Sequence, residues 1–193
     1  MNYAFIDLET TGTDEYAGSI IEVGIVVTDP DLVPLTDLSL LVEPVPEHVH
    51  DADEVVVAMH EGNGLWRDLN RAREDRRLLT PIEVDTTLCA FLKPHLVDGT
   101  IALAGSGVAH FDARWIRLHL PATAKRLTYW SLDVGVVRRF LRDVCHATAA
   151  VDEAAQHAGD AKTHRALEDV YLHLAETAVY RHWLTAGAGE EQG

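Results

Sequence analysis

The chain has 193 residues, of which 47% are hydrophobic and 24% charged, a balance that suits one globular domain able to fill its own core. No uninterrupted apolar run reaches the ~18 residues of a membrane span, so no membrane partner is expected. The net charge of −15 is wrong for a protein that slides along duplex DNA, yet it is unevenly spread: residues 1–66 hold 14 acids and no Lys or Arg, whereas residues 67–193 hold 17 acids against 16 bases.

In chain order, residues 3–9 form a short apolar run ending in acids, readable as a buried strand. Thr10-Thr11-Gly12-Thr13-Asp14 is a turn, and residues 20–28, rich in Ile and Val, form a second strand. Asp29-Pro30-Asp31 breaks that run, and residues 35–42 read as a third strand, so the three predict an antiparallel meander. Residues 43–63 are expected to be a loop, with Pro44, Pro46, His48 and His50. Helical patterns follow at 65–79 and 82–96, the second introduced by Thr80-Pro81 as cap and first helical position.

Residues 100–104 are a strand and 111–120 a helix stopped by Pro121. Residues 127–134 are a strand running into a helix at 136–144. A short helix near 151–158 precedes Gly159-Asp160, the last helix spans 165–184, and residues 185–193 read as a flexible tail. The order predicts a single α/β domain over residues 1–184, its mixed sheet flanked by helices.

Two features bear on the setting. The opening Met1-Asn2-Tyr3-Ala4-Phe5-Ile6-Asp7 lacks the basic and long apolar regions of a secretory signal. Cys89 and Cys145 show neither CxxC spacing nor a disulfide framework, which fits a reducing cytoplasm. Bases gather in two runs, Arg67, Arg71, Arg73, Arg76 and Arg77, then Arg114, Arg117, Lys125, Arg126, Arg138, Arg139 and Arg142. A concentrated acidic region beside local basic patches suits divalent cations and one short substrate end.

The chemistry starts at Asp7 and Glu9. A strand has a side-chain period of two, so both carboxylates face the same side. Like charges that close repel unless a cation neutralises them, and a glycine turn at Gly12 lets a substrate approach the strand end.

The motif Asp7-Leu8-Glu9-Thr10-Thr11-Gly12, the segment Gly105-Ser106-Gly107-Val108-Ala109-His110-Phe111-Asp112 and the segment His164-Arg165-Ala166-Leu167-Glu168-Asp169-Val170 together resemble the three motifs of the DnaQ-like, or DEDDh, exonucleases of the ribonuclease H-like superfamily. They occur in that family's order and span nearly the whole chain. The resemblance implies a ribonuclease H-like mixed five-stranded sheet and a 3′→5′ exonuclease working on a single-stranded RNA or DNA 3′ end and releasing nucleoside 5′-monophosphates. It implies two divalent cations, Mg²⁺ or Mn²⁺, held by Asp7, Glu9, Asp112 and Asp169, with His164 as general base. The spacing adds that His164 and Asp169, five apart, do not share a helix stripe. His164 therefore belongs to the loop or first turn above the site.

Within that family, chain size, the stretch from Tyr129 to Val134 and the Met59-His60 and Gly64-Leu65 pairs resemble oligoribonucleases, which are homodimers acting on very short RNA. Thr10 and Thr13 stand where that subfamily has Met and Leu, and Thr128 where it has a phosphate-contacting His. The paired Thr10-Thr11 instead resembles proofreading exonucleases that serve a polymerase. A member that only binds nucleic-acid ends or a polymerase is disfavoured because all four carboxylates and the histidine are present.

Thr10, Thr11, Gly12, His60, Trp66 and Tyr129 are candidate substrate contacts, Trp66 and Tyr129 by stacking, with core packing as the alternative for both aromatics. His48, His50, Asp51 and Asp53 read as a solvated acidic loop rather than a metal cluster.

Overall fold

Strands β1 (Tyr3–Thr10), β2 (Ile20–Thr28) and β3 (Pro34–Leu41) form an antiparallel meander. β4 (Ile101–Gly105) and β5 (Leu127–Asp133) extend it in parallel on the far side of β1, giving a five-stranded sheet of order β3-β2-β1-β4-β5. The structure, a computed structural model, describes residues 1–158 and 164–189. β2 is buried at every position, as a strand covered on both faces must be.

Strand parity sorts the core into two layers. Ile6, Leu8, Val23 and Ile25 pack with Val84, Leu88 and Leu92 and with Trp115 and Ile116, which belong to α4 (Pro81–Leu92) and α5 (Asp112–His119). Phe5 and Val26 pack on the opposite face with Val134, Ala154, Val170 and Leu174. These come from α7 (Val134–Arg139), α8 (Thr148–Ala158) and α9 (Ala166–Gly189).

Residues opposite one another in register share a face. Phe5 pairs Val26, Asp7 pairs Gly24 and Glu9 pairs Glu22, so all six point toward α9. Gly24 lets the helix come close: a Cβ there would lie 2.3 Å from the backbone of Ala166 and Leu167.

Several boundaries differ from the sequence expectation. Residues 43–63 are largely helical, with α1 (Pro46–His50) and α2 (Glu54–Gly62). Pro46 opens the first, where a missing N–H costs nothing, and the Asp53 carboxylate caps the second by accepting the Val55 N–H at 2.8 Å. α3 (Leu65–Glu74) stops short of 79 because Arg76 turns left-handed, φ 55°, and the Arg77 N–H folds back to the Ala72 carbonyl. α4 stops at Leu92 as Pro94 enters a 3₁₀ turn, Lys93–His95.

A short α6 (Pro121–Ala124) joins α5 to β5. α7 begins at Val134, earlier than expected, and continues as a π-helical turn, Phe140–Val144. α9 continues through Gly189, five residues into the segment expected to be a tail, and residues 190–193 lie outside the described residues, as does the turn expected at Gly159 and Asp160.

Candidate active site

The C-terminal end of β1 delivers Glu9 to the α9 face, and α9 delivers Asp169 from its first turn. A Glu9 carboxylate oxygen, an Asp169 carboxylate oxygen and a ring nitrogen of His164 all lie within 4.8 Å of one another. Glu9 is 6% exposed and Asp169 3%, whereas His164 is half-buried. His164 precedes the helix and takes φ 50°, which places it above the site off the α9 stripe, where the five-residue spacing had put it.

Asp112 opens α5 and is 3% exposed. Its Oδ1 accepts the Leu8 N–H at 3.0 Å, so this carboxylate is fixed to the β1 peptide that lies between Asp7 and Glu9. Asp7 shares Glu9's face and is half-buried. The cluster within 4.8 Å comprises Glu9, His164 and Asp169 and does not include Asp7 or Asp112. The loop leading to Asp112 is held by Asp133, which accepts the N–H groups of Gly107 at 3.0 Å, Ala109 at 3.1 Å and Val136 at 3.2 Å.

Buried carboxylates crowded together repel each other unless a cation neutralises them, and the carboxylates of Glu9 and Asp169, brought together here, are hard oxygen donors of the kind that suits a divalent cation.

The candidate substrate contacts divide. Gly12 is half-buried and has open space where a Cβ would stand; its φ is not left-handed, so the free fold makes no demand for glycine here. Thr10 donates its hydroxyl to the Gly12 carbonyl at 2.6 Å, and the Thr11 hydroxyl accepts the Ser19 N–H at 2.9 Å; both are buried and shape the turn.

His60 is fully buried, and its setting corrects the expectation of a direct substrate contact. Its Nε2 lies 3.3 Å from the Thr10 carbonyl and 3.7 Å from Glu9 Oε2. Since a carbonyl only accepts, Nε2 carries the proton of that hydrogen bond. Burial pushes the His60 pKa down, outweighing the opposing pull of the Thr10 carbonyl, so a neutral ring backs Glu9 from beneath.

Trp66 donates its Nε1–H to the Val57 carbonyl at 3.3 Å and meets His60 edge-on, so it ties α3 to α2, as the packing alternative expects. Tyr129 is 95% exposed, which excludes the core-packing alternative for it. His48 hydrogen-bonds through Nδ1 to Ser19 Oγ at 2.9 Å, and Asp53 caps α2; neither joins the Glu9 cluster.

The sequence alone did not point to Asn63, which donates to the His164 carbonyl, or to Glu22 and Asp68, which hold the neighbouring Arg165, a residue to which it gave no role. An acid inside the apolar run Ile20-Ile21-Glu22-Val23 was the available signal, because a buried strand carboxylate needs a partner.

A mixed sheet of this order, with acids at the end of its first strand joined by a His–Asp pair at the start of its last helix, defines a DnaQ-like exonuclease domain of ribonuclease H-like fold. The RNase T exonuclease family model matches residues 4–177, and the chain belongs to that family. Among curated relatives, the oligoribonuclease of Nitrosomonas europaea is 28% identical over 187 residues, covering 95% of each chain. That of Tropheryma whipplei is 30% identical, covering 95% of this chain and 94% of its own.

Solved structures show the same fold. Exonuclease I superposes with a TM-score of 0.67 at 14% identity over 95% of this chain, and the enzyme of Methylocaldum szegediense with 0.60 at 18% over 94%. This chain spans only 43% and 40% of the length of those two proteins. No helix among the described residues is long and apolar enough to cross a membrane.

Proposed function

We propose that this chain removes nucleotides one at a time from the 3′ end of short single-stranded oligonucleotides, releasing nucleoside 5′-monophosphates. The observation that carries the reading is the convergence of Glu9, His164 and Asp169 within 4.8 Å, on a chain aligned with oligoribonucleases over nearly its full length.

Asp7, Glu9, Asp112 and Asp169 would hold two divalent cations, Mg²⁺ or Mn²⁺, which when bound supply Lewis acidity toward the scissile phosphate and its leaving oxygen. The open space over Gly12 receives the terminal nucleotide close to the end of β1. His164 takes the proton of the attacking water, a task its ring chemistry suits. The new P–O bond forms as the P–O3′ bond breaks, and the shortened strand leaves with its 3′ oxygen.

The same reading includes a homodimer. Tyr129 and Trp130, 95% and 41% exposed, sit on the edge strand β5. Val136, Phe140 and Val144, 50%, 53% and 64% exposed, follow at four-residue spacing, an apolar stripe that suits a second copy. A cytoplasmic location fits Cys89 and Cys145, both unbonded thiols.

The paired Thr10-Thr11 supports a second reading, a proofreading-type DNA exonuclease. One assay separates the two: matched RNA and DNA oligomers, from dinucleotides upward, with Mn²⁺ and scored by product length. Preference for the shortest RNAs supports the first reading, and activity confined to longer DNA supports the second. Inactivity on every oligomer would leave binding of ends as the function. Light scattering that gives only the monomer mass would remove the dimer.

A further inference from the structure

We propose that Arg165, Glu22 and Asn63 act as a latch that positions His164 over the site, Arg165 being a positioning residue rather than a substrate or metal contact. The inference rests on His164 being the general base, as the proposed function has it.

His164 has φ 50°, a left-handed conformation that a residue with a Cβ keeps only where its surroundings impose it. Two contacts flank that strained position. On one side the Asn63 side-chain amide donates to the His164 carbonyl. On the other, the Arg165 guanidinium spans two acids. Its Nε lies 3.3 and 3.2 Å from the two Glu22 oxygens, one terminal nitrogen donates to Glu22 Oε1 at 2.9 Å, and the other donates to Asp68 Oδ2 at 2.9 Å.

Glu22 does more than neutralise. Its Oε2 accepts the Ala166 N–H at 2.9 Å, so one carboxylate both grips Arg165 and caps the first turn of α9. With its side chain only 2% exposed, this carboxylate needs the cation. Only a planar guanidinium reaches Glu22 along one edge and Asp68 from its other end.

Glu22 also stands directly opposite Glu9 in the β1–β2 register. The latch is thereby anchored one strand away from Glu9, and Asp68 and Asn63 tie the same point to α3 and to the turn before it. His164, Glu9 and Asp169 are thus held relative to one another through the β1–β2 ladder and the α9 cap.

The test uses the full chain and three variants: Arg165→Lys, the charge-neutral pair Arg165→Met with Glu22→Gln, and Asn63→Ser. The last leaves the buried ion pair intact and retains an oxygen for the Leu65 N–H that Asn63 Oδ1 now accepts at 2.9 Å, so it tests the latch even if the other two fold poorly. Each is assayed for kcat, KM, Mn²⁺ affinity by calorimetry, and the ring resonances of isotope-labelled His164. Expected are a fall in kcat of at least about tenfold, bounded by the ~10²–10⁴-fold of losing the base itself, with KM and Mn²⁺ affinity held, and broadened or multiple His164 signals.

Unchanged kcat with a single sharp His164 resonance in Asn63→Ser and Arg165→Lys would overturn the latch, and so would a loss of thermal stability alone. If the unmutated chain cleaves no oligonucleotide, the exonuclease reading fails by itself. The His164 resonances then still decide whether the latch exists.

Discussion

Asp112 accepts the N–H of Leu8 at 3.0 Å across 104 residues of sequence, and that amide lies between Asp7 and Glu9. The hydrogen bond fixes the start of α5 to the end of β1, so the acid of the second motif is registered against the acids of the first before any ligand arrives. Charge and hydrogen bond are separable here. Asp112→Asn keeps an acceptor for Leu8 and removes the charge, and it is expected to abolish metal-dependent hydrolysis while leaving the urea midpoint near that of the unmutated chain. Asp112→Ala is expected to cost about 1–3 kcal/mol more, because a buried N–H loses its acceptor. Equal destabilisation by both would show that the hydrogen bond contributes little to placing the acid.

Gly24 controls how near α9 approaches the sheet. A methyl group there meets the backbone of Ala166 and Leu167 at 2.3 Å, and backbone cannot swing aside as a side-chain tip does. Gly24→Ala is expected to destabilise the fold by roughly 1–3 kcal/mol and to lower kcat as well, since α9 carries Asp169 and begins beside His164. A variant with lost stability and full activity would mean that the helix shifts without disturbing the cluster.

Strand parity made much of this legible in advance. The two-residue spacing of Asp7 and Glu9 put both on one face, and the five-residue spacing of His164 and Asp169 put the histidine off the helix stripe. What a linear reading lacked was the other half of each long-range pair. Glu22 meets Arg165 only because Gly24 lets α9 close on β2. His60 backs Glu9 only because α2 exists, in a segment whose prolines and histidines read as loop while Pro46 and Asp53 were starting helices. The end of α3 was hidden for a related reason. Arg76 supplies the left-handed turn that a glycine would have announced. Tyr129 shows the converse, an aromatic on a strand that suggested core, placed on an edge strand where its ring meets solvent.

Away from the site, alkaline pH is expected to destabilise the fold through Tyr180, a buried residue of α9. The Tyr180 hydroxyl donates to Glu176 Oε1 at 2.6 Å, and Arg138 pairs with the same carboxylate. Burial, and then the hydrogen bond to Glu176, push the Tyr180 pKa above the usual tyrosine value of 10.0. The folded state therefore holds the phenol proton more tightly than the unfolded state does. That contribution is complete below about pH 10 and is lost as pH rises from there through the folded-state pKa. Denaturant titrations across the alkaline range should show stability falling more steeply for the unmutated chain than for Tyr180→Phe. Parallel curves would exclude Tyr180 as the titrating group.

His164 has a ring nitrogen within 4.8 Å of both Glu9 and Asp169 oxygens, which makes it the one residue of the cluster with two chemically distinct roles open to it, base or ligand. The half-buried ring, carried by a backbone outside the helix, suits a group that takes a proton and then lets product leave. As the base, its loss in His164→Ala is expected to lower kcat by about 10²–10⁴-fold. Mn²⁺ affinity should stay close to that of the unmutated chain, because the carboxylates of Asp7, Glu9, Asp112 and Asp169 remain. Asp7→Asn is the matched control and should lose metal affinity together with turnover. Calorimetry and single-turnover rates on the two variants read those quantities independently. A His164→Ala chain that keeps its kcat would reject the base, and one that loses Mn²⁺ in step with Asp7→Asn would make His164 a ligand.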